Sequence, residues 1–136
     1  PLLALRPGGR GDVTATHVAW TFNNGPDVPS PVTDGTYLYS INDRGIMYCL
    51  EAKTGNTVWQ GRLGEARREG FSASPLYVDG KVYFTNDDGE TFVVRAGPKF
   101  ELMHVNRMGE PILASPALVD GRWYMRTARN LVAVGS

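Results

Sequence analysis

The sequence predicts an all-β fold built from tandem units of four antiparallel strands. Apolar residues occur in short runs of Val, Tyr, Phe, Ile and Trp, and these runs end at Gly, Asp, Asn or Pro. Such runs are typical of short strands joined by tight turns. A Ser-Pro dipeptide also recurs at a nearly constant spacing, and Asp-Gly follows it each time. The strand-like runs and this recurrence together indicate a repeat protein.

The recurrence has the period of a propeller blade. The three dipeptides begin at Ser30, Ser74 and Ser115, so they lie 44 (30 to 74) and 41 (74 to 115) residues apart. Four-stranded propeller blades repeat about every 40–45 residues. Asp-Gly between apolar runs is a strong hairpin signal, because glycine accepts a positive φ without a steric penalty. The hairpins are predicted at Asp34-Gly35, Asp79-Gly80 and Asp120-Gly121.

In each unit a polar turn and a third strand follow the aromatic-rich second strand. We predict third strands over 46–50, 91–94 and 131–134, and fourth strands that begin near Thr57 and Phe100. Residues 2–5 and 15–22 are expected to be the last two strands of an earlier unit. The chain then divides into the end of a blade (1–22), two complete blades (28–63 and 71–107) and a partial blade (112–136). A short loop with at most one helical turn is expected over 63–69.

Composition argues against several kinds of partner. Lys plus Arg (14) equals Asp plus Glu (14), so the net charge is zero and nothing favours nucleic acid or an anionic membrane. No apolar run is long enough to cross a bilayer. The single cysteine, Cys49, excludes an internal disulfide framework and is expected to be a small buried hydrophobe. Because the first residue is Pro1, we expect a truncated or processed chain.

One unit carries a specific motif between its third and fourth strands. Ala52, Thr54, Gly55 and Trp59 occupy the positions of an Ala, a Thr-Gly pair and a Trp four residues later. This motif resembles the repeat of the pyrroloquinoline-quinone (PQQ) propeller family, with Lys53 where that repeat usually has an acidic residue. The resemblance implies a radial, WD40-like architecture in which the Trp packs against the next blade. Trp20 is expected to fill that role in the first partial unit, whereas Glu101 stands at the Trp position of the second complete unit.

The resemblance also implies a possible chemistry. Quinone-dependent dehydrogenases of this family use bound PQQ, calcium, a catalytic aspartate and often adjacent cysteines. The cysteine pair is absent, and Asp43, Asp87 and Asp88 lie in turns where Asp is expected for local hydrogen bonding. His17 and His104 lie in no zinc-binding spacing. We therefore predict no catalytic residue, no metal ligand and no cofactor.

The leading hypothesis is a non-catalytic propeller scaffold from an exported, periplasmic bacterial protein. The family includes an outer-membrane-assembly lipoprotein that acts as such a scaffold. A protein partner or a small ligand is expected at the propeller face, with Ser30, Ser74 and Ser115 as candidate channel-lining residues. Alternatively, these serines satisfy backbone groups at the strand starts.

Two other functions stay open. In the first, the chain is a fragment of a PQQ dehydrogenase that binds quinone and calcium. In the second, it is a structural module that closes a propeller by homo-oligomerisation.

Overall fold

A computed structural model describes residues 1–65 and 70–135, and all regular structure in this part of the chain is β. The predicted all-β fold is therefore confirmed, whereas most of the loop expected over 63–69 lies outside the described residues. The strands are β1 (Leu2–Leu5), β2 (Val18–Phe22), β3 (Val32–Thr33), β4 (Tyr37–Ile41), β5 (Ile46–Glu51), β6 (Thr57–Arg62), β7 (Leu76–Val78), β8 (Lys81–Thr85), β9 (Glu90–Arg95), β10 (Leu102–Arg107), β11 (Ala117–Val119), β12 (Arg122–Arg126) and β13 (Leu131–Val134).

Four antiparallel sheets follow one another along the chain. The first contains β1 and β2, the second runs β3-β4-β5-β6, the third runs β7-β8-β9-β10, and the last runs β11-β12-β13. Strands that are consecutive in sequence are neighbours in space, so each sheet is a meander. The two middle sheets have the four strands that the repeat predicts.

Two of the three Asp-Gly hairpins have the expected tight turn. Asp79 and Asp120 adopt positive φ angles (46° and 49°), as do the glycines that follow them. Positive φ at both central residues is the type I′ geometry that matches strand twist. The first hairpin differs because Thr36 adds a loop residue, and the Asp34 carboxylate accepts hydrogen bonds from the N–H groups of Thr36 and Tyr37 (2.8 and 2.7 Å).

The main core lies between the second and third sheets. Neither sheet could bury its apolar face alone, so each relies on the other. Its buried members are Tyr39, Ile41, Met47 and Cys49 from the second sheet, Val82, Phe84, Phe92 and Val94 from the third, and Leu63 and Phe71 from the connection between them.

Aromatic pairs mark each contact between successive sheets. Phe22 meets Tyr48 between the first and second sheets, with ring centroids 5.0 Å apart. Trp59 lies 5.4 Å from Phe100, which precedes β10. Tyr83 and Trp123 lie 4.6 Å apart between the third and last sheets. Tilted and edge contacts of this kind stabilise packing beyond the apolar area that they bury.

The tryptophans on the outer strands bond to the turn of the following sheet. The Trp20 indole N–H donates to the Ala52 carbonyl (3.1 Å) and the Trp59 indole N–H to the Gly97 carbonyl (2.8 Å). Gly97 N–H in turn donates to the buried Tyr39 hydroxyl (2.7 Å). Each tryptophan thus joins two sheets by a hydrogen bond as well as by its ring.

Strand register gives the third sheet a different residue at the tryptophan position. Trp59 pairs with Cys49, and the equivalent residue of β9, Val93, pairs with His104. Glu101 lies before β10, where it forms an ion pair with Arg95 (2.8 Å). Glu101 was expected at the tryptophan position, and this expectation was wrong. The turn before β10 is longer than the turn before β6, so the equivalent residue lies further along the chain.

Among the described residues, no helix is long and apolar enough to span a membrane.

Replacing Gly55 by Ala is expected to lower the free energy of unfolding by about 2–4 kcal/mol. Gly55 has φ +74°, and an added Cβ would lie 2.6 Å from the Trp20 ring. Urea denaturation measures the loss. Gly80→Ala is the matched control, since Gly80 has φ +71° and no atom within 4 Å of an added Cβ. Equal losses in the two variants would show that the Trp20 contact contributes nothing.

Candidate functional site

The connections between sheets lie at the same end of the sheets as the second turn of each unit. Successive strands are antiparallel, so the β4–β5 turn and the chain that leaves β6 reach the same end. We define this end as the connection face, which comprises residues 23–31, 42–45, 70–75, 86–89, 108–116 and 127–130. The Asp-Gly hairpins and the turn containing Ala52, Thr54 and Gly55 lie at the opposite end.

Backbone contacts hold the connections against the turns. The N–H of Leu63 donates to the Gly45 carbonyl (2.8 Å), and the N–H of Met108 donates to the Gly89 carbonyl (3.0 Å). The Asp87 carboxylate accepts hydrogen bonds from the Ser72 N–H (2.9 Å) and hydroxyl (3.1 Å). The connection face is therefore a fixed surface rather than a set of independent loops in this region.

The three Ser-Pro serines are linked across sheets. The N–H of Ser30 donates to the Ser74 hydroxyl oxygen (3.0 Å), and the N–H of Ser74 donates to the Ser115 hydroxyl oxygen (2.9 Å). The hydroxyls of Ser74 and Ser115 thus each satisfy a backbone N–H just before the inner strand of the preceding unit. This arrangement matches the alternative role anticipated for the serines and places them in one row along the inner strands.

Three cavities open on the connection face. The first, about 390 Å³, lies between the second and third sheets and is lined by Phe71, Phe92 and Arg107 among others. The second, about 320 Å³, lies between the first and second sheets, beside Asp27 and Tyr48. The third, about 140 Å³, lies beside Leu113 in the last unit. The first two reach the size range of small-ligand sites.

Among the reactive groups named from the sequence, Asp43 and Asp87 lie close enough to interact, whereas Cys49 is buried in the core. Burial raises the pKa of the Cys49 thiol to about 12, so the thiol stays protonated in the core. Burial, with the carboxylates of Asp27 and Asp87, raises the pKa of Asp43. Within residues 1–65 and 70–135, no three acidic, His or Cys side chains are placed to hold a metal ion.

Two exposed apolar side chains on the connection face were missed from the sequence. Val28 and Leu113 are 64% and 63% exposed. Both occupy the same place in the repeat, two residues before Ser30 and Ser115, and the intervening unit has Ser72 there. Counting back from each Ser-Pro pair would have found them, since a Val or Leu in a proline-containing connection has no strand to pack in.

Comparison with known proteins identifies the fold. The family model described as outer membrane protein assembly factor BamB matches residues 10–98. The structure of BamB from Moraxella catarrhalis is similar, with a TM-score of 0.69 and 20% identity over 86% of this chain and 36% of that one. No curated protein sequence matches the chain.

Two further propellers are similar in structure. A europium-containing methanol dehydrogenase has a TM-score of 0.62 and 19% identity over 80% of this chain and 22% of that one. The β-propeller domain of Cps50 (Swd1) from Myceliophteria thermophila has a TM-score of 0.63 and 12% identity over 90% and 47%. The chain spans less than half the length of each of these proteins, and its fold is that of a β-propeller segment.

Ser74→Ala is expected to cost about 1 kcal/mol, because the Ser30 N–H loses its acceptor. Amide hydrogen exchange at Ser30 should accelerate. Ser30→Ala is the control, since it removes the same hydroxyl from the start of the row but leaves the Ser30 N–H bonded to Ser74. Unchanged exchange in Ser74→Ala would contradict the role of the serine row.

Cys49 should react with a thiol reagent only when the protein unfolds. The side chain is fully buried and its raised pKa leaves almost no thiolate at pH 8. Labelling rates measured across a urea series should follow the unfolded fraction. Rapid labelling of the native protein at a rate independent of urea would contradict this placement.

Proposed function

Because the chain belongs to the family of the outer membrane protein assembly factor BamB, we propose that it is a non-catalytic propeller scaffold that binds a protein partner through its connection face. The observation that carries this function is the pair of equivalent exposed side chains, Val28 and Leu113. An exposed apolar residue at a fixed position of a rigid face is typical of an interface anchor.

The surroundings of Leu113 suit such an anchor. Leu113 lines a shallow cavity with Pro111, Arg126 and Thr127. Behind it, Glu110 accepts hydrogen bonds from the Thr127 hydroxyl (2.6 Å) and the Asn130 side chain (2.8 Å), which fixes the local backbone. A pre-organised apolar group with a polar rim lowers the entropy cost of binding.

The charge distribution favours recognition of a protein partner by shape complementarity rather than by long-range electrostatic attraction. The net charge is zero, and the connection face carries both signs, with Asp27 and Asp43 near Arg44 and with Arg129 paired to Glu110 (3.5 Å). Rim charges of both signs set the register of a partner more than its affinity. An exported location, in the periplasm, is part of the same proposal and follows from the family.

The quinoprotein alternative has weaker support. The likeness to a methanol dehydrogenase is one of fold, and fold alone does not carry a cofactor site. The self-assembly alternative instead predicts contacts between two copies of the chain.

A photoreactive amino acid at position 113 or 28 is expected to cross-link the chain to another protein in the periplasm of a Gram-negative host. Mass spectrometry of the adducts should identify components of outer-membrane protein assembly. The same probe at Val58, which is 39% exposed on the outer strand β6, is the control and should give few adducts. Leu113→Asp should weaken the captured complex by about tenfold or more.

Equal adducts at positions 113 and 58 would overturn the role of the connection face. Adducts with the mass of two copies of the chain would favour self-assembly instead.

A further inference from the structure

Two cavities of the connection face occupy equivalent places in the repeat but have different linings. One lies between the first and second sheets and the other between the second and third. Asn42 and Tyr48 line the former where Asn86 and Phe92 line the latter, and Gly25 corresponds to Gly64. We call the former the amide cleft, lined by Asn23, Asn24, Asp27, Asp43, Arg44 and Tyr48.

The linings of the two cavities differ most at two positions of the repeat that are buried in the core in another unit. Leu63, four residues after Trp59, and Phe71, three before Ser74, are 1% and 3% exposed and belong to the main core. The last unit has Met108 and the buried Ile112 at these places. The amide cleft instead has Asn24, four residues after Trp20, and Asp27, three before Ser30, and both are exposed.

Polar residues at these two positions give up the stabilisation that the other units gain by burying apolar side chains. Departures from the local rules of a fold concentrate at functional sites. Asn24 and Asp27 border a cavity of about 320 Å³, which is enough for a small ligand. The cleft between the first and second sheets is thus bordered by polar side chains at two positions where the next junction has buried apolar ones.

From this lining, we propose that the amide cleft binds a saccharide that carries a primary amino group. The side-chain amides of Asn23 and Asn24 each offer a donor and an acceptor, and Arg44 adds donors, so together they match hydroxyl groups that both donate and accept. Ile46 lines the same cavity and, with the accessible edge of the largely buried Tyr48, provides apolar contacts for the ring carbons.

The charge of the cleft selects the amino group. Among the described residues of the lining, Asp27 and Asp43 supply two carboxylates and Arg44 supplies a guanidinium. Burial and the neighbouring Asp27 raise the pKa of Asp43, so the two carboxyl groups lie close enough for one ammonium group to interact with both. The equivalent cavity has Phe71 in place of Asp27, and its carboxylates are those of Glu65, Asp88 and Glu90, together with the guanidinium of Arg107.

The test is a titration of the 15N-labelled chain with the β-1,4-linked disaccharide of glucosamine, followed by NMR. We expect saturating shifts of the Asn23 and Asn24 side-chain amides with Kd of about 1 mM or tighter. Cellobiose, which has the same linkage without amino groups, should bind about tenfold more weakly. Calcium chloride alone is the third arm.

Variants separate binding from folding. Asp27→Asn keeps the shape of the side chain and should weaken disaccharide binding about tenfold. Asp88→Asn changes a carboxylate of the equivalent cavity and should leave the Kd unchanged. The double variant Asn24→Leu with Asp27→Phe copies the next unit, and it should abolish binding while the thermal midpoint stays the same or rises.

Three results would overturn the proposal. They are the absence of shifts in the amide cleft with the amino disaccharide, an unchanged Kd in Asp27→Asn, and saturation by calcium where the disaccharide has no effect. None of them bears on Val28 or Leu113, so the scaffold function stands or falls separately.

Discussion

The contact between the second and third sheets is the constraint on which the other features depend. A meander of short strands is only marginally stable until another sheet covers its apolar face. Here Tyr39 is fully buried between the two sheets, and its hydroxyl donates to Asp34 (2.7 Å) while it accepts from the Gly97 N–H (2.7 Å). The same Gly97 presents its carbonyl to Trp59. A polar group inside this core is therefore satisfied by both sheets at once, which fixes how they align.

That alignment explains why side chains at one end of the sheets can be substituted more freely than side chains at the other. At the hairpin end, Trp20 lies against Gly55, where a methyl group would clash. Along the inner strands, the hydroxyls of Ser74 and Ser115 each accept a hydrogen bond from a backbone N–H of the preceding unit. The connection face is held by backbone bonds from Leu63 and Met108 to turn glycines, and these bonds do not depend on side-chain identity. Exposed anchors such as Val28 and polar substitutions such as Asp27 can therefore be accommodated there without loss of the fold.

Much of the fold was predictable, because strands and turns are encoded by neighbouring residues. The third strand of the last unit was predicted over 131–134 and is found there, and the Asp79 and Asp120 turns have the expected left-handed geometry. The first hairpin differs because Asp34 bonds to the backbone at Thr36 and Tyr37 instead of adopting a positive φ. The tryptophan position of the third sheet was assigned to Glu101 by counting, but register places His104 there. Counting fails wherever a turn changes length between repeats.

The all-β class, the order of strands and the period of the repeat all follow from local patterns of apolar, glycine and proline residues, so they can be predicted without a structure. Which residues these repeats bring together depends instead on how the sheets pack. Ser30 meets Ser74, Trp59 meets Gly97, and Asp27 and Asp43 line one cleft although they belong to different loops. The acidity of the Cys49 thiol was likewise set by burial among side chains distant in sequence. The physical reason is that such contacts depend on how whole sheets pack, and no residue carries that information in its immediate neighbours.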